Sequence, residues 1–391
     1  MLAGLIFATE DAEDRGDALA ATLPFGGATL IEYQARLLVA VGASHLLVAV
    51  ARVTPALLGA VSRIAGRGVT VDVVRSAEEA AAKVHPLAEV IVIADALVTT
   101  DAVIEWIASE SHEALLVARD GEPGGGIERV DNSHSWAGLA RVPAARLREV
   151  ADMPADYDFQ SALLRQTAGA GAIQLLLPPA TGRTRHGVER NSAALLRRSK
   201  SVLAALGDRR TAWTDRFLFT PITGWSLPHL VSRGVPAWAV TMTGAVAAAG
   251  AVALFAVMQP AAGLAASLLG IAALSTGSML SWLRGEDGLA RTQERVVWGV
   301  AGLVTLLTGA VATHTGGDWS GAVLAVVTIA LAALLERVPT AKRRWWSTPA
   351  AGPLVLLPFA IAGQMTAGLA LVALYALASL AAAIEASREK A

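Results

Sequence analysis

Residues 24–50, PFGGATLIEYQARLLVAVGASHLLVAV, decide the fold of the first half of this chain. The segment 28–42 reads as a helix that ends in Val-Gly. HLLVAVA (45–51) is a short apolar run that follows a polar residue, and such runs are typical of buried strands. A helix followed at once by a strand indicates an α/β unit.

The flanking sequence repeats this alternation. Further short, β-branched runs are LIFAT (5–9), VTVDVVR (69–75), EVIVIAD (89–95) and EALLVAR (113–119). Strands that alternate with helices favour a parallel sheet between two helix layers. We therefore predict a three-layer α/β sandwich over residues 1–178, with Asp95 at the carboxyl end of a central strand.

The second half has the composition of a membrane domain. The whole chain is 54% hydrophobic and 17% charged, with a mean hydropathy of +0.51. From residue 236 onward the apolar runs approach the ~20 residues that a bilayer helix needs. Six spans are predicted, at 236–257, 260–282, 296–313, 319–335, 351–364 and 367–384.

Basic residues predict the orientation of these spans. Loops 283–295 and 336–350 and the C-terminal tail carry Lys and Arg, whereas the opposite connections carry none. By the positive-inside rule both termini are cytoplasmic, as in a multi-pass protein of a bacterial inner membrane. A net charge of −1 gives no field that points to nucleic acid, and the absence of cysteine excludes thiolate chemistry. The N-terminus lacks the basic start of a signal peptide.

Two connecting segments separate the predicted domains. Residues 179–211 form a basic linker, which is either a solvated helix or a contact for anionic lipid headgroups, two compatible interpretations. Residues 212–235 are amphipathic and aromatic, which predicts a helix lying in the membrane interface. The membrane domain then covers 236–391.

The first half resembles sugar-phosphate nucleotidyltransferases. Residues 24–50 match the segment that follows their nucleotide loop, and 89–104 match the strand that ends in a metal-binding Asp, here Asp95. The glycine-rich loop of that family is absent, and acids that repel a triphosphate replace it: Glu10, Asp11, Glu13, Asp14 and Asp17. Asp95 is therefore either a metal ligand or a turn acid at a strand end. Likewise, DYDFQSALLRQ (156–166) either places acids in the same cleft or is an acidic helix cap.

The second half resembles CDP-alcohol phosphatidyltransferases. Asp215, Arg216, Pro221, Ile222 and Pro236 match that family's juxtamembrane entry segment. LRGEDGLAR (283–291) matches its motif D-x-x-D-G-x-x-A-R with one residue deleted. Arg284 stands at the first Asp, and Asp287, Gly288 and Arg291 are retained, as is a later glycine at Gly299. Leu303 and Leu307 occupy the two remaining Asp positions.

The two resemblances imply the ligands. In these families carboxylates hold Mg²⁺ against a nucleotide pyrophosphate, which implies Mg²⁺ as cofactor and CTP or a CDP-alcohol as ligand. Asp287 is the remnant catalytic residue, Asp95 the candidate metal ligand, and Arg216, Arg284, Gly288 and Arg291 the candidate phosphate-binding residues. A homodimer is left open.

Two function classes follow. One is an enzyme of phospholipid or phosphodiester-lipid synthesis, divergent or inactive at the usual dimetal site. The other is a non-catalytic scaffold or regulator, a pseudoenzyme that binds nucleotide or anionic lipid. The loop around Arg284 and Arg291 would then bind an anionic phosphate, or act only as a positive-inside anchor. A transporter is disfavoured, because no span carries a buried ionisable residue.

Overall fold

The computed structural model divides into two compact units, Met1–Ala205 and Leu206–Ala391. The predicted domain boundary at 178 lies inside the first unit. The structure describes every residue except 123–126, 155–156, 179–184, 209–212, 215–220, 224–225, 227–228, 231–232, 234, 284, 339–344, 349 and 389–391, and also excepts the side chains of 200, 203–208, 283 and 287.

A seven-stranded sheet forms the centre of the first unit. Its strands are β1 (Leu2–Ala8), β6 (His45–Val50), β7 (Thr70–Val74), β8 (Glu89–Ile93), β10 (Ala114–Arg119), β11 (His134–Pro143) and β12 (Ile173–Leu176), in the spatial order β12-β10-β11-β8-β1-β6-β7. Six of β1's seven residues are buried, because helices cover both faces of the sheet.

Six helices make the two outer layers. They are α1 (Leu30–Ala40), α2 (Pro55–Ala65), α3 (Ala77–Lys83), α4 (Asp101–Ser109), α5 (Ala144–Ala151) and α6 (Phe159–Gly169). Helix α1 packs on α2 and α4, while α5 packs on α3 and α6. The connections β1–α1–β6 and β7–α3–β8 run in opposite directions along the sheet, which places α1 and α3 on opposite faces. The predicted α/β sandwich is thus confirmed.

The sheet is mixed, whereas the sequence predicted a parallel one. Strand β11 runs antiparallel to both of its neighbours, β8 and β10. Its sequence HSWAGLARVP begins with polar residues and contains Gly138 at φ +87°, beside an irregularity in the pairing with β10. A glycine at a bulge interrupts the apolar run by which a strand is usually detected.

Smaller elements lie near the carboxyl ends of the central strands. A hairpin follows β1, made of β2 (Asp11–Ala12) and β3 (Arg15–Leu19), and β4 (Pro24–Phe25) pairs with β5 (Ala28–Thr29). After β8, β9 (Leu97–Val98) pairs with β13 (Gly187–Val188). Helix α7 (Ser192–Asp208) follows. Much of the predicted linker 179–211 is therefore folded onto the first unit.

The second unit is all-helical. Five of its helices in the described residues are long and apolar enough to span a membrane: α8 (Ala237–Ala256), α9 (Pro260–Leu283), α10 (Asp287–Gly316), α11 (Ser320–Arg337) and α13 (Met365–Arg388). Glycines allow close packing, as at Gly309, where a Cβ would lie 2.8 Å from Gly321 O. The chain is a multi-pass membrane protein by these helices.

The predicted span 351–364 is shorter than expected. It is α12 (Ala351–Ile361), 11 residues with Pro358 inside, or about 16 Å against the ~30 Å of a hydrocarbon core. Helix α12 forms a hairpin with α13. Gly368 packs on Phe359 at the closed end, and Ser347 N donates to Ser379 Oγ at the open end. The chain therefore reverses direction here despite the short helix.

Most of the segment 283–295, predicted as a loop, is helical. Helix α10 begins at Asp287 and runs for 30 residues, so Arg291 and Arg295 lie on a helix rather than in a loop. Hydropathy detects only the apolar part of such a helix, because its first turns are charged.

Candidate functional site

The candidate site lies between β1 and β8. These neighbouring strands continue in opposite directions, β1 to β6 on one side and β8 toward β10 on the other. Ligands of open α/β sheets bind outside the carboxyl ends of strands at such a switch point. Asp95 follows β8 by two residues, at the carboxyl end of a central strand as predicted, and this end lies at the switch point.

Asp95 is tied to the chain that leaves β1. Its Oδ2 accepts hydrogen bonds from Thr9 N at 2.5 Å, Glu10 N at 2.6 Å and Thr9 Oγ1 at 3.2 Å. Its own backbone N–H donates to Gln160 Oε1 at the start of α6. The carboxylate therefore closes the turn after β1, as a turn acid does.

Burial dominates the electrostatics of Asp95. The residue is 3% exposed, and desolvation raises its pKa to about 6, although the bonds from Glu10 and Thr9 act in the opposite direction. Its Oδ1 is buried and has no hydrogen-bond partner. Asp95 Oδ2 is thus occupied by three hydrogen bonds, and Oδ1 is shielded from water.

Three of the five acids that replace the glycine loop, Glu10, Asp11 and Asp14, have partners. Asp11 pairs with Arg52 at 2.5 Å, and Glu10 lies 3.5 Å from Arg190 Nη1. Ser192 donates to the Asp14 carboxylate through its hydroxyl and its backbone N–H. Glu10 and Asp14 thus bind Arg190, just before α7, and Ser192, at its start.

Residues 185–192, which sequence reasoning assigned to the linker, cross the switch point. They pair with β9 after β8 and reach the β2–β3 hairpin after β1. His186 is fully buried, with Nε2 2.6 Å from Ala137 O and Nδ1 2.9 Å from Thr99 Oγ1. Desolvation lowers its pKa to about 4, so this histidine is neutral near pH 7.

Arg198 holds this segment from α7. Its Nε donates to Glu189 Oε1 at 2.7 Å and its Nη1 to His186 O at 2.6 Å. The guanidinium covers Gly187, where a Cβ would lie 3.2 Å from Nη2 and φ is +147°. The sequence signal for this contact was weak, because basic residues in 179–211 look like a solvated run.

A cavity of about 330 Å³ opens at the carboxyl ends of β1, β6 and β7. Phe7, Phe159 and Tyr157 contribute aromatic rings, and Phe7 and Phe159 meet edge to face at 5.1 Å. Thr9, the residue bonded to Asp95, also lines it. The segment 156–166 reaches the cavity through Asp158, which caps α6 by accepting from Ser161 N at 2.8 Å. Asp156 lies outside the described residues.

The described surroundings of Asp95 bear on its predicted role as a metal ligand. In the part of the chain that the structure describes, no group of three or more His, Asp or Glu side chains is arranged to hold one. Asp95 Oδ2 already accepts three hydrogen bonds, and the buried Oδ1 has no hydrogen-bond partner among the described residues. Asp95 as a Mg²⁺ ligand stays a prediction that its described neighbours do not support.

Only part of the motif LRGEDGLAR (283–291) lies within the described residues. Gly288 lies exposed in the first turn of α10, and Arg291 lies exposed one turn further on. Asp287 starts the helix, but its side chain is outside the described set, as are Arg216 and Arg284. The structure therefore places two of the predicted phosphate-binding residues on one helix end.

A buried polar layer lies nearby, and sequence reasoning missed its central residue. Gln293 is fully buried, donates to Thr241 Oγ1 at 2.5 Å, and keeps Oε1 unpaired. Ser278 donates to Glu294 Oε1 at 3.1 Å. These bonds join α8, α9 and α10, which is how polar side chains commonly act between membrane helices.

Two solved structures are similar to the first half of the chain. One is described as a glucose-1-phosphate thymidylyltransferase from Bacillus anthracis, with 11% identity, a TM-score of 0.41, and 52% of this chain and 95% of that chain covered. The other is an inositol-1-phosphate CTP transferase from T. maritima, with 14% identity, a TM-score of 0.38, and 51% and 95% covered. No protein-family model and no curated protein matches the chain.

Proposed function

We propose that this membrane protein uses its α/β unit to bind the nucleoside part of a nucleotide, with CTP as first candidate, and transfers no nucleotidyl group. The observation that carries the proposal is the cavity at the ends of β1, β6 and β7, beside an Asp95 whose Oδ2 is already occupied. Such a protein acts as a membrane-bound scaffold or regulator.

The cavity lining supports a nucleoside. Its volume of about 330 Å³ is at the lower end of the roughly 300–1,000 Å³ of small-molecule sites, and its aromatic rings suit a base. Thr9 and Ser76 supply hydroxyls for a ribose. Among the described residues, the lining contains one basic side chain, Arg75, and two acidic ones, Glu78 and Asp158. This charge balance does not favour a polyphosphate.

Acids that follow β1 support the absence of transfer, because they are already bound to other residues of the chain. Nucleotidyl transfer needs a metal or other cations to neutralise a pyrophosphate, and here Glu10 and Asp14 are bound to the segment before α7. In the helical unit we propose descent from the CDP-alcohol phosphatidyltransferase type linked to phospholipid synthesis. Leu303 and Leu307 replace two of its four carboxylates and Arg284 a third.

The proposed location is a bacterial inner membrane with the α/β unit in the cytoplasm, where CTP and CDP-alcohols are present. This rests on the distribution of Lys and Arg around the helices. Mg²⁺ is not required in the proposal, and a homodimer stays a prediction.

The test fills the cavity. Ala51 is an exposed residue of the lining, so a bulky side chain there blocks the opening with little effect on the core. We expect Ala51→Trp to weaken binding of cytidine and CTP by at least about tenfold in calorimetry of the full chain in detergent. Ala65→Trp, at an exposed α2 position outside the lining, is the matched control. Equal binding by both variants would place the ligand elsewhere and reject the proposal.

A further inference from the structure

Helix α10 is longer than the hydrocarbon core of a bilayer is thick. Its 30 residues span about 45 Å, and a hydrocarbon core accounts for ~30 Å of this length. About ten residues must therefore lie outside the apolar layer. The charged side chains of α10 all precede residue 296, so its N-terminal end is the part that reaches the headgroup region.

One face of this end is exposed. Arg291, Arg295 and Trp298 follow one another at helical spacing, and all three are exposed, Trp298 by 36%. The same face continues to Leu306, which is 43% exposed. Basic, then aromatic, then aliphatic side chains thus follow the order in which a phospholipid presents its phosphate, glycerol and acyl chain.

The other faces of this end are occupied. Gln293 is directed to Thr241 of α8, and Glu294 accepts a hydrogen bond from Ser278 of α9. The nearest acid in the described part of α10 is therefore engaged with a neighbouring helix. Because Glu294 is engaged with Ser278, a carboxylate of α10 compensates the positive charge of Arg295 only in part.

We infer that this face binds one anionic phospholipid. Arg295 and Arg291 contact its phosphate, Trp298 lies at the boundary between headgroup and acyl region, and an acyl chain runs along Leu306. Guanidinium groups bind phosphate well, and tryptophan favours the membrane interface. A basic side chain near an anionic membrane surface contributes enough binding to give selectivity over a zwitterionic lipid.

Native mass spectrometry of the full protein tests the inference, with phosphatidylglycerol and phosphatidylcholine as probes. We expect one phosphatidylglycerol to be retained in preference to phosphatidylcholine, and Arg295→Gln to reduce that preference about fivefold. Arg388→Gln removes the same charge at the end of α13, where Arg388 lies 3.7 Å from Glu385, and serves as control. Equal loss in the two variants would overturn the site and indicate a general charge effect.

Two further arms identify what is recognised. Trp298→Leu keeps an apolar side chain at this position, and we expect it to lower retention of both lipids, because it removes the interfacial ring. Glycerol phosphate should fail to displace the lipid, since it cannot contact Trp298 and Leu306. Displacement by glycerol phosphate would mean that a free phosphate compound, not a lipid, is the ligand. Circular dichroism of each variant verifies that the helices are formed.

Discussion

Asp95 Oδ2 accepts a hydrogen bond of 2.6 Å from the backbone N–H of Glu10, across the switch point of the sheet. The bond makes the carboxylate part of the turn after β1. A metal ligand would instead present its oxygens to a shared ion, together with other carboxylates. The position that the sequence suggested for metal binding thus has a structural partner in the backbone.

The stability of the α/β unit relative to that of an Asp95→Asn variant should fall as pH rises from 4 to 8. The pKa of Asp95 is raised from 3.8 to about 6 on folding. The contribution of Asp95 to the free energy of unfolding is therefore largest below its unfolded pKa of 3.8 and is lost as pH rises through about 6. Between pH 4 and pH 8 the variant should gain roughly 2.5 kcal/mol relative to the wild type. Chemical denaturation of the full chain measures this free energy. If the variant and the wild type differ by the same amount at pH 4 and at pH 8, the burial argument is contradicted.

His186 should have the opposite pH dependence. Its pKa falls from 6.5 to about 4 on folding, so its contribution is complete above 6.5 and is lost as pH falls toward 4. Acid should weaken the pairing of β13 with β9. Hydrogen exchange at Glu189 N, which bonds to Ala96 O, reports on this after correction for the intrinsic rate. In His186→Gln the acid-dependent part should disappear; if it persists, another group is responsible.

Arg198 and Arg197 are neighbours on α7 with different surroundings. Arg198 contacts Glu189 and His186 O, whereas Arg197 is exposed. We expect Arg198→Ala to lower the free energy of unfolding by about 1–3 kcal/mol, since the buried His186 O and the partly buried Glu189 both lose a donor. Arg197→Ala should change it by less than about 0.5 kcal/mol. Equal effects would mean that the segment before α7 is a free linker.

Single cysteines test the membrane topology, because the chain has none of its own. Thr315 is at the end of α10 and Ser387 near the end of α13. The hairpin of α12 and α13 predicts that Thr315→Cys and Ser387→Cys are labelled from opposite sides, with Ser387 cytoplasmic. Labelling of both from one side would show that α12 does not carry the chain across.

The sequence was sufficient for the elements whose pattern is local. Strands β1, β6, β7, β8 and β10 and the apolar helices were all predicted, because period and hydropathy report burial directly. Strand β11 was not, since its Gly138 bulge hides the alternation. The short α12 was overestimated because hydropathy continues beyond Ile361 into a turn.

The site was less predictable. Asp95 was found from a strand-end pattern, yet the sequence left its role open between a turn acid and a ligand. The role depends on contacts with Thr9 and Glu10, more than 80 residues away in the chain. The contributions of His186 and Arg198 could not be seen either, because they depend on the tertiary pairing of β13 with β9. Gln293 lies in the stretch 283–295, which the sequence predicted as a charged loop.

Calorimetric titration of CTP into the full protein, with Mg²⁺ and then with EDTA, tests the central claim most directly when pyrophosphate release is followed in parallel. We predict binding of similar affinity in both conditions, similar binding by Asp95→Asn, and no pyrophosphate. Pyrophosphate release that needs Mg²⁺ and is abolished in Asp95→Asn would contradict the account and make this chain an active nucleotidyltransferase.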